Sequence, residues 1–263
     1  VELLFGLGLV TYLLVFLAGI VGGLINAAAG GGMFVLFPML IFCGVSSVSA
    51  SATTSMAVLP GTMAAAWTYR QALSHSKPAA VWVAVFSALG GIIGGYLLLW
   101  IDNHSFARLA PFLMLFATIM FTISPWIQNL SMVSGRHPRR VAGLKIAVLL
   151  FLFANFIYGG FFGAGMGIMM LAGLTLYGMT DIHTMNALRT IASVSANSIA
   201  GILFIHAGVV DMKFLVPLAS GTILGGLFGS RHFRSVRNDL MRRSITILAW
   251  LLTALTFAMR YLR

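Results

Sequence analysis

Two short runs decide how this chain folds: Ala29-Gly30-Gly31-Gly32-Met33 and Gly163-Ala164-Gly165-Met166-Gly167. Each interrupts a long apolar stretch and opens another of only about 13 residues, roughly 20 Å at the helical rise. A hydrocarbon core about 30 Å thick needs about 20 residues of helix. The segments beginning at Met33 and Met166 are therefore predicted as half-length helices, too short to cross alone.

The stretches around them are long enough. Of the 263 residues, 60% are hydrophobic and 8% charged, whereas soluble domains carry about a quarter charged residues. Apolar segments fall at roughly 3–28, 33–45, 47–73, 78–101, 106–127, 143–164, 166–179, 182–207, 212–230 and 242–260. The expected fold is an all-α integral membrane bundle with about eight full spans and two short, broken or re-entrant helices. The first apolar run has no basic region ahead of it, so it reads as a retained segment rather than a cleaved signal.

The glycine runs also point to a duplication. Gly22-Gly23 matches Gly159-Gly160, Ala52 and Ser55 match Ala187 and Thr190, and Gly90, Gly94 and Gly95 match Gly221, Gly225 and Gly226. The expected organisation is an N-terminal repeat over 1–130, a basic cytoplasmic linker over 131–145, and a C-terminal repeat over 146–263. Five helical segments per half make the second half start on the other side of the membrane, provided each short segment pairs with its predecessor as a hairpin. The charges agree. Loop 70–77 carries Arg70 and Lys77, while its counterpart 206–213 sets Asp211 against Lys213. Loop 102–108 balances Asp102 against Arg108, while 231–243 holds five arginines and one aspartate. Cationic loops stay in the cytoplasm, so the two halves are expected to be inverted. Arg260 and Arg263 then lie on the far side, against the trend.

The net charge of +11 comes mostly from these loops, which argues against nucleic-acid binding. Cys43 is the single cysteine, so neither an intrachain disulfide nor a cysteine metal cluster can form. The acids are Glu2, Asp102, Asp181, Asp211 and Asp239, all near segment ends, where none can bind Na⁺ or relay protons at mid-span. His183 and His206 also sit at segment ends. No hydrolase triad, P-loop or metal-ligand pattern is present, so no enzyme activity, cofactor or metal is expected. The 15 methionines read as apolar filler.

Backbone that leaves helical geometry inside a membrane must line a cavity or be buried in protein. A glycine run opening a helix presents N–H groups and positive partial charge, both suited to an anion. Close helix packing by small residues is the plain alternative. Arg189 lies about seven residues into its segment, where a charge is costly and functional by default. It is suited to bidentate oxyanion binding, with snorkelling to the interface as the alternative. Asn186, Thr190, Ser193 and Asn197 recur around it at helical spacing. In the first half Asn26, Thr53, Thr54 and Ser55 occupy comparable places, although such hydroxyls often bond only their own backbone. The candidate substrate-binding set is Asn26, Gly30, Gly31, Gly32, Thr53, Thr54, Ser55, Gly165, Gly167, Asn186, Arg189, Thr190, Ser193 and Asn197.

Gly22-Gly23 through Gly30-Gly31-Gly32 with Pro38 resembles the first half of the TauE/SafE family of membrane permeases. The second half resembles it further, through Gly159-Gly160-Phe161-Phe162-Gly163-Ala164-Gly165-Met166-Gly167, Ala187-Leu188-Arg189-Thr190, Ser195-Ala196-Asn197, Phe204 to Gly208, and Gly225-Gly226 to Gly229-Ser230-Arg231. The resemblance spans about 15–235 and implies export or uptake of small organic or sulfur-containing anions across the bacterial cytoplasmic membrane; the leading reading is a secondary transporter working by alternating access around a site between the two halves. Sulfite, sulfoacetate and related sulfonates are the substrates it suggests, and a basic group at Arg189 fits its pattern. A passive anion channel or uniporter is the second reading, and a membrane assembly factor the third. The expected partners are the anion and lipid, with the chain a monomer or homodimer.

Overall fold

The computed structural model describes residues 8–68, 77–133, 142–232 and 239–261. The described residues form helices and no strand: α1 Gly8–Ala29, α2 Met33–Phe42, α3 Ser47–Thr68, α4 Lys77–Trp100, α5 Asn103–Val133, α6 Ala142–Phe161, α7 Met166–Leu176, α8 Ile182–His206, α9 Met212–His232 and α10 Asp239–Tyr261. The short helices begin at the two residues that the glycine runs predicted. Between the halves, α5 runs to Val133 and α6 begins at Ala142. Most of the basic residues of the three cationic loops lie outside the described residues.

Among the described residues six helices are long and apolar enough to cross a membrane: α1, α4, α5, α8, α9 and α10. The other two expected spans, α3 and α6, have 22 and 20 residues. In α3 the apolar character is diluted by Ser49, Ser51, Thr53, Thr54, Ser55 and Thr62, all of them buried except Ser49. The polarity that weakens α3 as a lipid-facing span suits it to the interior. The outer wall shows the reverse pattern. Leu9, Leu13, Trp82, Phe86, Leu150, Phe228 and Leu251 project outward from α1, α4, α6, α9 and α10. Apolar outside and hydroxyl-bearing inside is the arrangement that lipid, rather than water, stabilises.

The half-length helices lie in the core. All residues of α7 from Met166 to Thr175 are buried, as are Met33, Phe34, Leu36, Phe37, Pro38 and Leu40 of α2. Phe37 meets Phe106 and Phe162 edge-on, with centroids at 6.5 and 5.2 Å, so α2 is clamped between α5 and the end of α6. A second cluster joins Leu152 and Phe156 of α6, Met170 and Leu174 of α7, and Met185 and Leu188 of α8. Both short helices close with one hydrogen-bond pattern: Val45 N–H to Leu40 carbonyl and Met179 N–H to Leu174 carbonyl, each 3.0 Å.

Packing fixes which helix ends lie together. Tyr12 approaches Phe214 at 6.0 Å, Val48 N–H donates to Asn103 Oδ1 at 3.0 Å, and Asp211 N–H donates to Thr53 Oγ1 at 2.9 Å. The starts of α1, α3, α5 and α9 therefore share one end of the bundle. Ala80, Val83 and Met179 pack against the cluster holding Val148 and Met185, which groups the starts of α4, α6 and α8 at the other. So α1 and α2 leave from and return to one end, and α6 and α7 leave from and return to the opposite one.

Two glycine seams bind the helices. A Cβ added to Gly225 of α9 would lie 2.1 Å from the Ile20 carbonyl oxygen and 2.8 Å from the Leu24 nitrogen of α1. A Cβ added to Gly94 of α4 would lie 2.1 Å from the Ile157 oxygen and 2.6 Å from the Phe161 nitrogen of α6. The seams meet matched atoms, because Ile20 and Leu24 stand to Gly23 as Ile157 and Phe161 stand to Gly160.

Candidate functional site at the facing helix starts

The site begins with two helix stops. Gly30 and Gly163 adopt φ of +72° and +81°, conformations open to glycine at little cost, and end α1 and α6. After each stop the chain reverses into a short helix; the Phe34 and Val35 N–H groups bond back to the Gly31 and Gly32 carbonyls, and those of Met166 and Ile168 to the Gly163 and Gly165 carbonyls, so it is the positive end of each helix dipole that lies at the junction. The two starts face each other. A Cβ on Gly30 would fall 2.8 Å from Gly167 Cα, and one on Gly167 would fall 3.0 Å from Gly30 Cα.

Arg189 sits at this junction, 4% exposed. Its Nη1 would lie 3.1 Å from a Cβ on Gly30, and its Cδ 3.0 Å from one on Gly167. Its Nη2 donates to the Ala27 carbonyl at 3.1 Å. That carbonyl belongs to the last turn of α1, where acceptors are left over and the helix dipole is negative. One arm of the guanidinium thus caps the broken end of α1, a role that spacing alone did not reveal.

The second break is held by side chains of its own. Tyr158 OH donates to the Ala164 carbonyl at 2.9 Å, and Asn155 Nδ2 donates to the Met166 carbonyl at 3.1 Å. On the first, Asn26 Nδ2 donates to Thr62 Oγ1 at 3.0 Å.

A cleft of about 370 Å³, its open mouth included, lies between the starts. Asn26, Gly30, Met33, Ser55, Val58, Gly163, Met166, Gly167, Ser193 and Asn197 line it. Its open centre is narrow, with room for roughly one or two water molecules. A smaller neighbour of about 240 Å³ shares Asn26, Gly30 and Ser193 and adds Ala27, Thr62, Ala65, Arg189 and Thr190. Among the described residues no carboxylate lines either.

Of the predicted set, Asn26, Gly30, Ser55, Gly167, Ser193 and Asn197 line the larger cleft, and Arg189 and Thr190 the smaller. The rest stand elsewhere. Gly32 packs on the Gly22 carbonyl, Gly31 on Phe34 and Phe121, and Gly165 on Ala117. Thr53 accepts from Asp211 N–H. Asn186 turns back to the Ile182 carbonyl. Thr54 is buried outside both clefts. Sequence reasoning passed over Met33, Val58, Gly163 and Met166, and the Asn26 partner Thr62. A signal existed for three of them: Met33 and Met166 each open a short helix, and Thr62 precedes Asn197 by the same interval as Ser55 precedes Thr190.

Asp102, Asp181 and Asp211 serve as helix caps. Asp102 Oδ1 accepts from the N–H groups of His104 and Ser105, and Asp211 Oδ1 from Lys213 N–H. Asp181 accepts from His183 and Thr184 N–H and from the Thr184 hydroxyl. The Thr184 hydroxyl, then its N–H, hold the Asp181 carboxyl below the usual carboxylate range. Among the described residues no three His, Cys, Asp or Glu side chains group as metal ligands.

Discontinuous helices whose starts converge on a polar cleft inside an apolar-walled bundle define a class, the multi-pass membrane transporter. The chain belongs to the sulfite exporter TauE/SafE family, matching it over residues 15–257. It is similar to a probable membrane transporter protein of Haemophilus influenzae, 26% identical over 242 residues, covering 92% of each chain. It is likewise similar to the probable membrane transporter protein YfcA of Escherichia coli, 26% identical over 242 residues, 91% of this chain and 87% of the relative. A probable membrane transporter protein of a Sinorhizobium species is 24% identical over 217 residues, 82% of this chain and 81% of its own. No solved structure matches.

Proposed function

We propose that the chain is a secondary transporter for a small anion, a sulfite, organosulfonate or organic acid, crossing the bacterial cytoplasmic membrane by alternating access. The site is the cleft between the starts of α2 and α7. The halves 1–130 and 146–263 act as inverted repeats about it. One observation carries the reading: two helix starts, which both favour negative charge, converge beside the buried guanidinium of Arg189, and among the described residues no carboxylate lines the clefts. The negative ends of α1 and α6 lie at the same breaks, and the first of them is already capped by Arg189.

The exchange of helix pairs supports a two-fold relation between the halves, and the opposite placement of the starts of α1 and α6 supports its inversion. Swapping α1–α5 with α6–α10 turns the α1·α9 contact into α6·α4, α3·α9 into α8·α4, and α2·α10 into α7·α5, and all six contacts are present.

The test is anion flux in proteoliposomes. Arg189→Gln, which keeps one donor for the Ala27 carbonyl but removes the charge, should lower uptake of the transported anion at least tenfold. Arg189→Lys should retain part of it. Equal flux through wild type and Arg189→Gln, with both folded, would remove the guanidinium from the site. Flux without counterflow acceleration would replace the carrier by a passive channel.

A further inference from the structure

Hydroxyls buried in these helices find partners as a rule. Thr62 donates to the Val58 carbonyl, Thr175 to Leu171, Thr190 to Asn186, and Thr118 pairs with Thr253. Ser51 Oγ and Thr54 Oγ1 break the rule. Both residues are fully buried in α3, and neither hydroxyl has a hydrogen-bond partner. A helix hydroxyl can usually turn back to its own carbonyl, and an unsatisfied buried polar group is costly, so the exception calls for a cause.

Their position supplies one. Ser51 lies one turn from Ser55, and Thr54 one turn from Val58, and both of those line the cleft. They stand on its side toward the end shared by the starts of α1, α5 and α9, where Thr53 meets Asp211. The smaller cleft, with Arg189 and Thr190, lies the other way, toward the start of α8. Thr54 and Ser51 also precede Arg189 and Asn186 by the interval that separates Ser55 from Thr190. The pair thus occupies, in the first half, the place of the polar face beside the smaller cleft in the second.

Resting on the alternating-access reading above, we infer that Ser51 and Thr54 line the arm of the anion pathway that is shut in this conformation. Their hydroxyls lack partners because water and the passing anion supply them only when α3 and its neighbours part at that end. The opposite arm, past Arg189, is the one partly formed here.

Thiol accessibility tests this without knowledge of the substrate. In a Cys43→Ser background, Ser51→Cys and Thr54→Cys are treated with sulfonatoethyl methanethiosulfonate, itself a small sulfonate, in vesicles of both orientations. Ala50→Cys, fully buried on the same helix, is the control. The expected result is labelling at least tenfold faster than the control, from the side of the 101–102 and 207–211 connections. Ser193→Cys should react from the other side. Labelling no faster than Ala50→Cys from either side, in variants that still move anions, overturns the inference. Ser51→Ala and Thr54→Val guard against a thiol artefact. Removing the orphaned hydroxyls should raise the melting temperature while slowing flux several-fold, and unchanged flux speaks against the shut arm. If the cysteines label but wild type moves none of sulfite, sulfoacetate and lactate, the arm stands and the anion assignment falls.

Discussion

Replacing Gly30 by alanine should damage this protein more than the same change at Gly163 or Gly167. Two separate effects coincide there. An L-residue at a φ of +72° costs about 1–2 kcal/mol. The new methyl would also lie 2.8 Å from Gly167 Cα, about 1 Å inside the favourable carbon–carbon separation. Backbone cannot rotate away as a side chain can, so the helix starts must part, at about 1–3 kcal/mol for overpacking. The sum is about 2–5 kcal/mol. Two companions separate the effects. Gly163→Ala carries the strain of a φ of +81°, but its methyl would meet no atom closer than the Gly159 oxygen at 3.0 Å, so about 1–2 kcal/mol is expected. Gly167→Ala carries the contact with Gly30 and Arg189 Cδ, both at 3.0 Å, without a left-handed backbone, and should lose about 1–3 kcal/mol. Reversible unfolding in mixed detergent micelles reads all three. A Gly30→Ala protein no less stable than Gly163→Ala would mean that the helix starts are not in contact, and the site as described would fall with it.

Gly94→Ala and Gly225→Ala should each lose about 1–3 kcal/mol in the same assay, because both methyls would press on backbone at 2.1 Å, whereas Gly8→Ala, with nothing within 4 Å, should be silent; a large inequality between the seams would break their equivalence. Asp181→Ala should cost about 1 kcal/mol or less, an N-cap at an exposed helix start. Because the Thr184 bonds lower the folded carboxyl's pKa, that contribution is complete above the ordinary carboxylate value and is lost as pH falls through the depressed one. Wild type and variant should therefore converge in acid, and a gap that widens there would refute the cap. Single cysteines placed in 70–76 and 207–210 of a Cys43→Ser chain should react with an impermeant reagent from opposite faces of the membrane, and reaction from one face would end the inverted arrangement.

Much of this was written locally in the chain. Hydropathy marks the spans because each side chain meets lipid or protein on its own account. A glycine run marks a helix stop because the choice of φ is made within one residue, which is why Met33 and Met166 could be named as helix starts in advance. The match of Gly90, Gly94 and Gly95 with Gly221, Gly225 and Gly226 read in the sequence as a duplication, and only the packed helices showed that Gly94 and Gly225 each press on a partner's backbone. What sequence could not assign was the partner of each group. Arg189 and Ala27 are 162 residues apart, and only packing α8 against the end of α1 turns an intramembrane charge into a cap beside a cleft. Thr53, Thr54 and Ser55 are consecutive and chemically alike, yet their directions differ by about 100° per residue around the helix. One therefore meets Asp211, one lies unpartnered, and one faces the cleft, a division that depends on the helices surrounding α3.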